Sequence, residues 1–218
     1  MADLTLTFDN GPDAETTPLV LDVLARRGIR ATFFVVGERL AAPGGHALAA
    51  AAHAAGHWIG NHTWTHSGPL GTRDGAALAE QEIGRTQTEI GALAHPHRLF
   101  RPQGGGGALG PHLFRSRDVA FLKAQRMSCV LWNAIPGDWK DPDGWVDRAL
   151  AQIDAQSWTL LVLHDLPTGA MRHLDAFLDQ VAARNVRLQQ DFPPDCMPLV
   201  DGVVVRPIND CVTDAPKE

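Results

Sequence analysis

The side chains best suited to chemistry in this 218-residue chain fall in short clusters far apart in sequence. Asp9 and Asn10 close an apolar run over residues 4–8 and lead into a Gly11-Pro12 turn, which makes both candidates for a ligand crevice. The bland alternative is an Asx turn in which both side chains bond nearby backbone. His62 and His66 stand four residues apart, a spacing that sets two imidazoles on one face of a helical turn and commonly grips a metal. His53 and His57 share that spacing, and with ten histidines in the chain spacing alone is weak evidence. Position separates the pairs: His53 belongs to an alanine-rich helix and His57 to the start of a strand, whereas His62 and His66 lie beyond a strand's carboxyl end. Arg101, Asp138 with Trp139, and His164 with Asp165 also follow apolar runs. Trp139, beside Asp138 in a turn, is the tryptophan expected to line a cleft; Trp64, Trp132 and Trp145 read as core or rim.

Placing these residues together requires alternating strands and helices. Residues 4–9, 31–36, 58–61, 98–101, 128–133 and 159–164 read as strands, most of them apolar on both faces as in a parallel sheet. Helices are expected over 16–28, where Pro18 suits the first turn and Gly28 the end, and over 45–55, 74–94, 109–123, 143–156 and 169–184. The run Gly104-Gly105-Gly106-Gly107 lacks the Lys-Ser/Thr of a phosphate loop and reads as a flexible border of the cleft. Asp13, Asp141 and Asp143 read as turn or capping residues. Past Gln190 the chain turns proline-rich, and a surface tail with a short strand at 203–205 is expected. The division is therefore residues 1–190 as the domain and 191–218 as a C-terminal extension.

Strand–helix alternation implies parallel pairing and right-handed crossovers. The chain is short for the eight-fold barrel, which typically takes ~250 residues, so the expected fold is α/β, a distorted or incomplete parallel (β/α) barrel in a single domain. An open doubly wound sheet is the alternative, and periodicity does not separate the two. In a parallel barrel Asp9, Asn10, His62, His66, Arg101, Asp138, Trp139 and His164 all gather at one mouth, where active sites are found. Scattered structural residues have no reason to choose the same end of every strand.

A net charge of −6 with no basic run argues against nucleic acid as a partner and leaves a neutral substrate such as a sugar open. Cys129, Cys196 and Cys211, odd in number and widely spaced, imply neither a disulfide framework nor a zinc ribbon. No leader or long apolar run is seen, so a cytoplasmic setting without membrane association is expected. The sequence does not indicate an oligomeric state.

In order along the chain, Thr7-Phe8-Asp9-Asn10-Gly11-Pro12, His62-Thr63-Trp64-Thr65-His66, Arg101-Pro102-Gln103-Gly104, Gly137-Asp138-Trp139 and Leu163-His164-Asp165 resemble the motifs of the polysaccharide deacetylase family, carbohydrate esterase family 4 with its NodB homology domain. Ala31-Thr32-Phe33-Phe34-Val35-Val36-Gly37 resembles that family's second strand. The resemblance implies a distorted barrel, a divalent metal, usually zinc with cobalt as a substitute, and hydrolysis of an N-acetyl amide. By motif, Asp9 matches the catalytic base, His62 and His66 match metal ligands, and Arg101 matches the residue that holds the base. Trp139, with Asp138 beside it, matches the pocket wall, and His164 the general acid.

Two positions depart from the pattern. Asn10 stands where the family usually has an aspartate as third metal ligand; its carbonyl oxygen can still bind but brings no charge. Ile135 stands where the family often has an aspartate supporting the catalytic histidine. His164 is therefore expected to lack a carboxylate partner and to titrate near ~6.5, or lower if buried. The expected function is metal-dependent hydrolysis of an amide C–N bond in an acetylated amino sugar or its oligomer. The alternatives are a small-molecule amidase or cyclic-imide hydrolase on the same scaffold, and a non-catalytic carbohydrate-binding relative.

Overall fold

The computed structural model describes residues 2–215. Its central strand, β1 (Asp3–Asp9), is buried from Leu4 onward. β6 (Trp158–His164) runs parallel to it along one edge, with Asp9 opposite His164. The other edge is divided: β7 (Arg187–Gln189) pairs with Asp3 to Thr5, and β2 (Thr32–Val35) with Thr7 to Asp9. Beyond β2 the sheet continues in parallel through β3 (Trp58–Asn61), β4 (Leu99–Phe100) and β5 (Ser128–Cys129). The chain after β5 then returns to β6 through a single parallel bridge from Ala134 to Leu161. The sheet is thus curled into an incomplete (β/α) barrel within a single α/β domain, and is not an open doubly wound sheet.

The period of two along β1 sorts its side chains. Leu4, Leu6 and Phe8 join the outer core, together with residues of α1 (Thr16–Arg26), α3 (Gly45–Ala54), α6 (Trp145–Asp154) and α7 (Leu174–Ala183). Thr5, Thr7 and Asp9 alternate with them and turn inward. Inside the curl, Phe34, Leu99, Val130, Leu160 and Cys196 form a separate apolar plug. Phe34 fits because its neighbour on β3 is Gly60, where a Cβ would lie 2.5 Å from the Phe34 ring. Asp9 and His164 therefore sit at the strand ends above a dry floor.

Several elements differ from the sequence expectations. The helix expected over 74–94 does not start at Asp74, because Gly75 has φ +133°. It enters through a π-helical turn, Glu80–Gly84, continues as α4 (Arg85–Ile90), and ends in a 3-10 turn at Gly91–Leu93. The helix expected over 109–123 is divided into a 3-10 turn at Pro111–Leu113 and α5 (Ser116–Ala124), with Phe114 extended between them. A short helix, α2 (Gly37–Ala41), follows β2 where none was expected.

The segment past Gln190 is a correction to the expected surface tail. β8 (Leu199–Val200) pairs antiparallel with β5, and β9 (Val203–Val204) with β8. Cys196, Leu199, Ile208, Cys211 and Val212 are buried, and only residues 203–205 keep exposed valines. The prolines made this stretch look like a solvated coil, whereas its spaced apolar residues cover the bottom and flank of the barrel. The three cysteines are free and buried. Among the described residues no helix is long and apolar enough to cross a membrane.

Candidate active site

At the carboxyl ends of the strands lies a cleft of about 220 Å³, lined by Asp9, Asn10, His62, His66, Trp139 and His164, with Gly104–Gly107, Ile135 and Leu166 as further walls. The positions singled out in the sequence thus meet at one mouth, with Arg101 and Asp138 behind the lining. His57 lies elsewhere, buried, with Nδ1 accepting the Ala31 N–H at 3.0 Å. His53 is exposed on α3.

Arg101 has no exposed surface and crosses the barrel interior. Its Nη1 donates to Asp9 Oδ1 at 2.8 Å and to Thr7 Oγ1 at 2.7 Å. Nε and Nη2 donate to the Val130 and Leu131 carbonyls, each at 3.2 Å, and the guanidinium lies 4.1 Å above the Phe34 ring. A buried carboxylate needs such a charge-assisted partner. With Oδ1 so engaged, Asp9 Oδ2 remains toward the cleft, 3.7 Å from His62 Nε2.

The imidazole pair is set up as lone-pair donors. His62 Nδ1 donates to the Arg101 carbonyl at 2.9 Å, which fixes the tautomer and leaves Nε2 unprotonated. Burial holds the His62 pKa below its usual value, against the pull of Asp9. Burial, reinforced by His62, pushes His66 down to about 3. The two rings lie 4.9 Å apart between centroids. Gln103 Nε2 stands 3.5 Å from His66 Nδ1, and Gln103 Oε1 has no hydrogen-bond partner. Turned end over end, that amide accepts from Nδ1 and frees His66 Nε2 in the same way.

Asn10 lines the same cleft. Its backbone has φ 77°, a left-handed conformation that asparagine tolerates, and its Oδ1 is buried with no hydrogen-bond partner. Buried acceptors are seldom left so, and an orphan beside two neutral imidazoles fits a cation. Among the described residues no group of three His, Cys, Asp or Glu side chains could hold a metal, and a third donor beside the two imidazoles would have to be an amide oxygen. The residues present fit a divalent ion of borderline softness, with two nitrogen donors and an uncharged oxygen.

The expectation for His164 is overturned. Asp138 is fully buried and lies outside the cleft lining, and it faces His164 instead of a substrate. Its Oδ1 accepts from His164 Nδ1 at 2.8 Å and its Oδ2 from the His164 backbone N–H at 2.9 Å. Burial opposes charge on His164, but the hydrogen bond and charge of Asp138, with smaller effects of Asp9 and Asp165, outweigh it and raise the pKa. Ile135 therefore leaves no gap in the support of His164; it is an apolar wall packed near Gly107. Trp139 lies edge-on to His164, with ring centroids 4.7 Å apart.

Asp165, next in the chain, is buried and accepts from Thr17 Oγ1 at 2.5 Å. Burial raises its pKa to about 7. It presses against Gly11, where a Cβ would lie 2.1 Å from Asp165 Oδ2, so only glycine lets the Asn10 turn sit this low.

Thr7, Gln103 and Glu82 were not singled out in the sequence. Thr7 could have been found, since it precedes Asp9 by two on the same strand face. Glu82 gave no local signal, because its contacts with the 62–66 loop are 17 and 18 residues away in the chain.

The strand ends of a curled α/β barrel thus bring a carboxylate, two imidazoles and a carboxylate-backed imidazole to one cleft. The Polysaccharide deacetylase family model matches residues 2–110. The chitooligosaccharide deacetylase of Sinorhizobium fredii (strain NBRC 101917 / NGR234) is 34% identical over 189 residues, covering 84% of this chain and 82% of the relative. The peptidoglycan-N-acetylmuramic acid deacetylase PdaC of Bacillus subtilis (strain 168) is 34% identical over 166 residues, 75% of this chain but 32% of that longer protein. A family 4 carbohydrate esterase from Streptomyces lividans, solved in complex with acetate, superposes with a TM-score of 0.71 at 28% identity, covering 90% of this chain and 96% of that one. The chain belongs to the polysaccharide deacetylase family.

Proposed function

We propose that this protein is an N-deacetylase of acetylated amino sugars, with soluble oligosaccharides as its substrate class. The observation that carries the reading is the placement around one cleft of a carboxylate held by Arg101, two neighbouring imidazoles, and an imidazole backed by a carboxylate. The cleft is small beside the ~300–1,000 Å³ of common small-molecule sites. It accommodates the acetamido end of a sugar unit and leaves the rest of the chain outside.

Asp9 acts as general base. Arg101 fixes Oδ1, so Oδ2 is the oxygen that takes a proton from the attacking water. His164 acts as general acid through Nε2, because Asp138 holds Nδ1 and favours the charged ring. Without that proton the departing amine is a poor leaving group. Trp139 and Leu166 wall the acyl end and exclude water. His62 and His66, with the Asn10 carbonyl oxygen, would hold a divalent metal, zinc or cobalt. Such an ion, when bound, supplies Lewis-acid polarisation of the acyl oxygen and acidifies a water.

Acetate release from chitooligosaccharides, lost on chelation and restored by zinc or cobalt, is the expected result. Activity that survives chelation would favour the amidase or cyclic-imide reading. Glycan binding without release from any N-acetylated sugar would identify a non-catalytic relative.

A further inference from the structure

The loop that carries both imidazoles is held in a strained conformation. Thr63 has φ 67° and His66 φ 52°, a left-handed region that side chains avoid, β-branched threonine above all. Such backbone persists only where its surroundings over-determine it. The Thr63 and Trp64 carbonyls accept from the Gly37 and Glu38 N–H groups at the start of α2, each at 3.0 Å. The Thr63 N–H donates to Asn61 Oδ1 at 3.1 Å. The next two N–H groups, of Trp64 and Thr65, share the acceptor Glu82 Oε2, at 3.0 and 2.9 Å. Glu82 Oε1 accepts from the Thr65 hydroxyl at 2.7 Å and from Arg73 Nη1 at 2.8 Å.

Glu82 is buried and comes from the π-helical turn at Glu80–Gly84. That turn also presents the Ile83 carbonyl to Asn61 Nδ2, at 2.9 Å. π turns inserted in α-helices recur at functional sites. Here the wider turn sets Glu82 and Ile83 side by side beneath the loop. A carboxylate receiving four donors, a cation among them, makes stronger bonds than a neutral acceptor would.

We propose that Glu82 is a positioning residue, whose carboxylate locks the strained His62–His66 loop so that both imidazoles address the same cation. The role rests on the reading of this site as a metal centre. It is distinct from general support of the fold, because Glu82's hydrogen bonds to the loop fall on Trp64 and Thr65, between the two imidazoles.

The test compares Glu82→Ala and Glu82→Gln with the unsubstituted chain. Each is purified metal-free and titrated with Co(II) by calorimetry and visible absorption, and hydrogen exchange is followed at the Trp64 and Thr65 amides. In Glu82→Ala, Co(II) binding weakens by about 10–100-fold. Exchange accelerates at residues 63–66 while β1 and β6 stay protected. Glu82→Gln, which keeps an acceptor oxygen for both amides, recovers most of the affinity. A folded Glu82→Ala with unchanged Co(II) affinity and unchanged exchange at the two amides overturns the proposal, as does loss of protection throughout the barrel in both variants. If the unsubstituted chain binds neither Co(II) nor Zn(II), the metal reading fails. The exchange at Trp64 and Thr65 still decides the positioning role.

Discussion

His164 and Asp165 are neighbours in sequence with both pKa values raised, His164 through Asp138 and Asp165 through burial. Replacing Asp138 with asparagine removes the charge that favours protonated His164. The alkaline limb of the kcat–pH profile then moves to lower pH, and kcat falls by about 10²–10⁴-fold. For both groups the folded state binds the proton more tightly than the unfolded state. The stability each contributes is therefore complete below its ordinary pKa and is lost as pH rises through the folded value. For Asp165 that window runs from the ordinary carboxylate range up to about 7. Asp165→Asn keeps an acceptor for Thr17 and removes the titration, so its melting temperature should decline less between pH 5 and pH 8, as read by circular dichroism. At Asn10 the argument is one of charge. Asn10→Asp adds a negative donor beside two neutral imidazoles and should tighten zinc or cobalt binding by about tenfold or more in calorimetry. No gain in affinity would count against Asn10 as a ligand.

At the scale of elements, β8 is the informative case. Leu199 has no exposed surface and joins the cluster containing Phe100, Phe114 and Cys129. Leu199→Ala should cost about 2–5 kcal/mol, seen as a lower melting temperature, whereas a residue in a surface tail would cost almost nothing. The sequence misled here for a physical reason: two-residue strands carry no periodicity, and proline-rich composition imitates coil. Strands β1, β3 and β6 were legible because their apolar runs are buried on both faces and end at polar side chains. The gathering of Asp9, His62, Arg101 and His164 followed from that register alone. The partner of His164 was not legible, since Asp138 reaches it by a turn whose side-chain direction no spacing rule gives. The π turn was invisible too, because its residues are ordinary helix formers and only their contacts with the 62–66 loop explain it.

At the scale of the whole molecule, Arg101 ties the barrel together. It joins β1, through Thr7 and Asp9, to the chain leaving β5, through Val130 and Leu131. Arg101→Met leaves the buried Asp9 carboxylate without its charged partner and should destabilise by about 3–5 kcal/mol. Combining it with Asp9→Asn should restore part of that loss in a denaturant titration, while acetate release by the double variant should be abolished. The divided edge of β1 bears on how the protein is made. Over Asp3 to Thr5, β1 takes its partners from residues 158–160 on one side and Arg187–Gln189 on the other. Every other parallel neighbour can be laid down in passing, but this one must wait. Until residues 158–189 have been synthesised, β1 has at most β2 beside it, and Asp9 and His164 cannot face each other. Nascent chains halted before residue 158 should therefore leave the strand bearing Asp9 open to protease. Refolding of the full chain should be slow, set by closure of the longest loop and not by its helices.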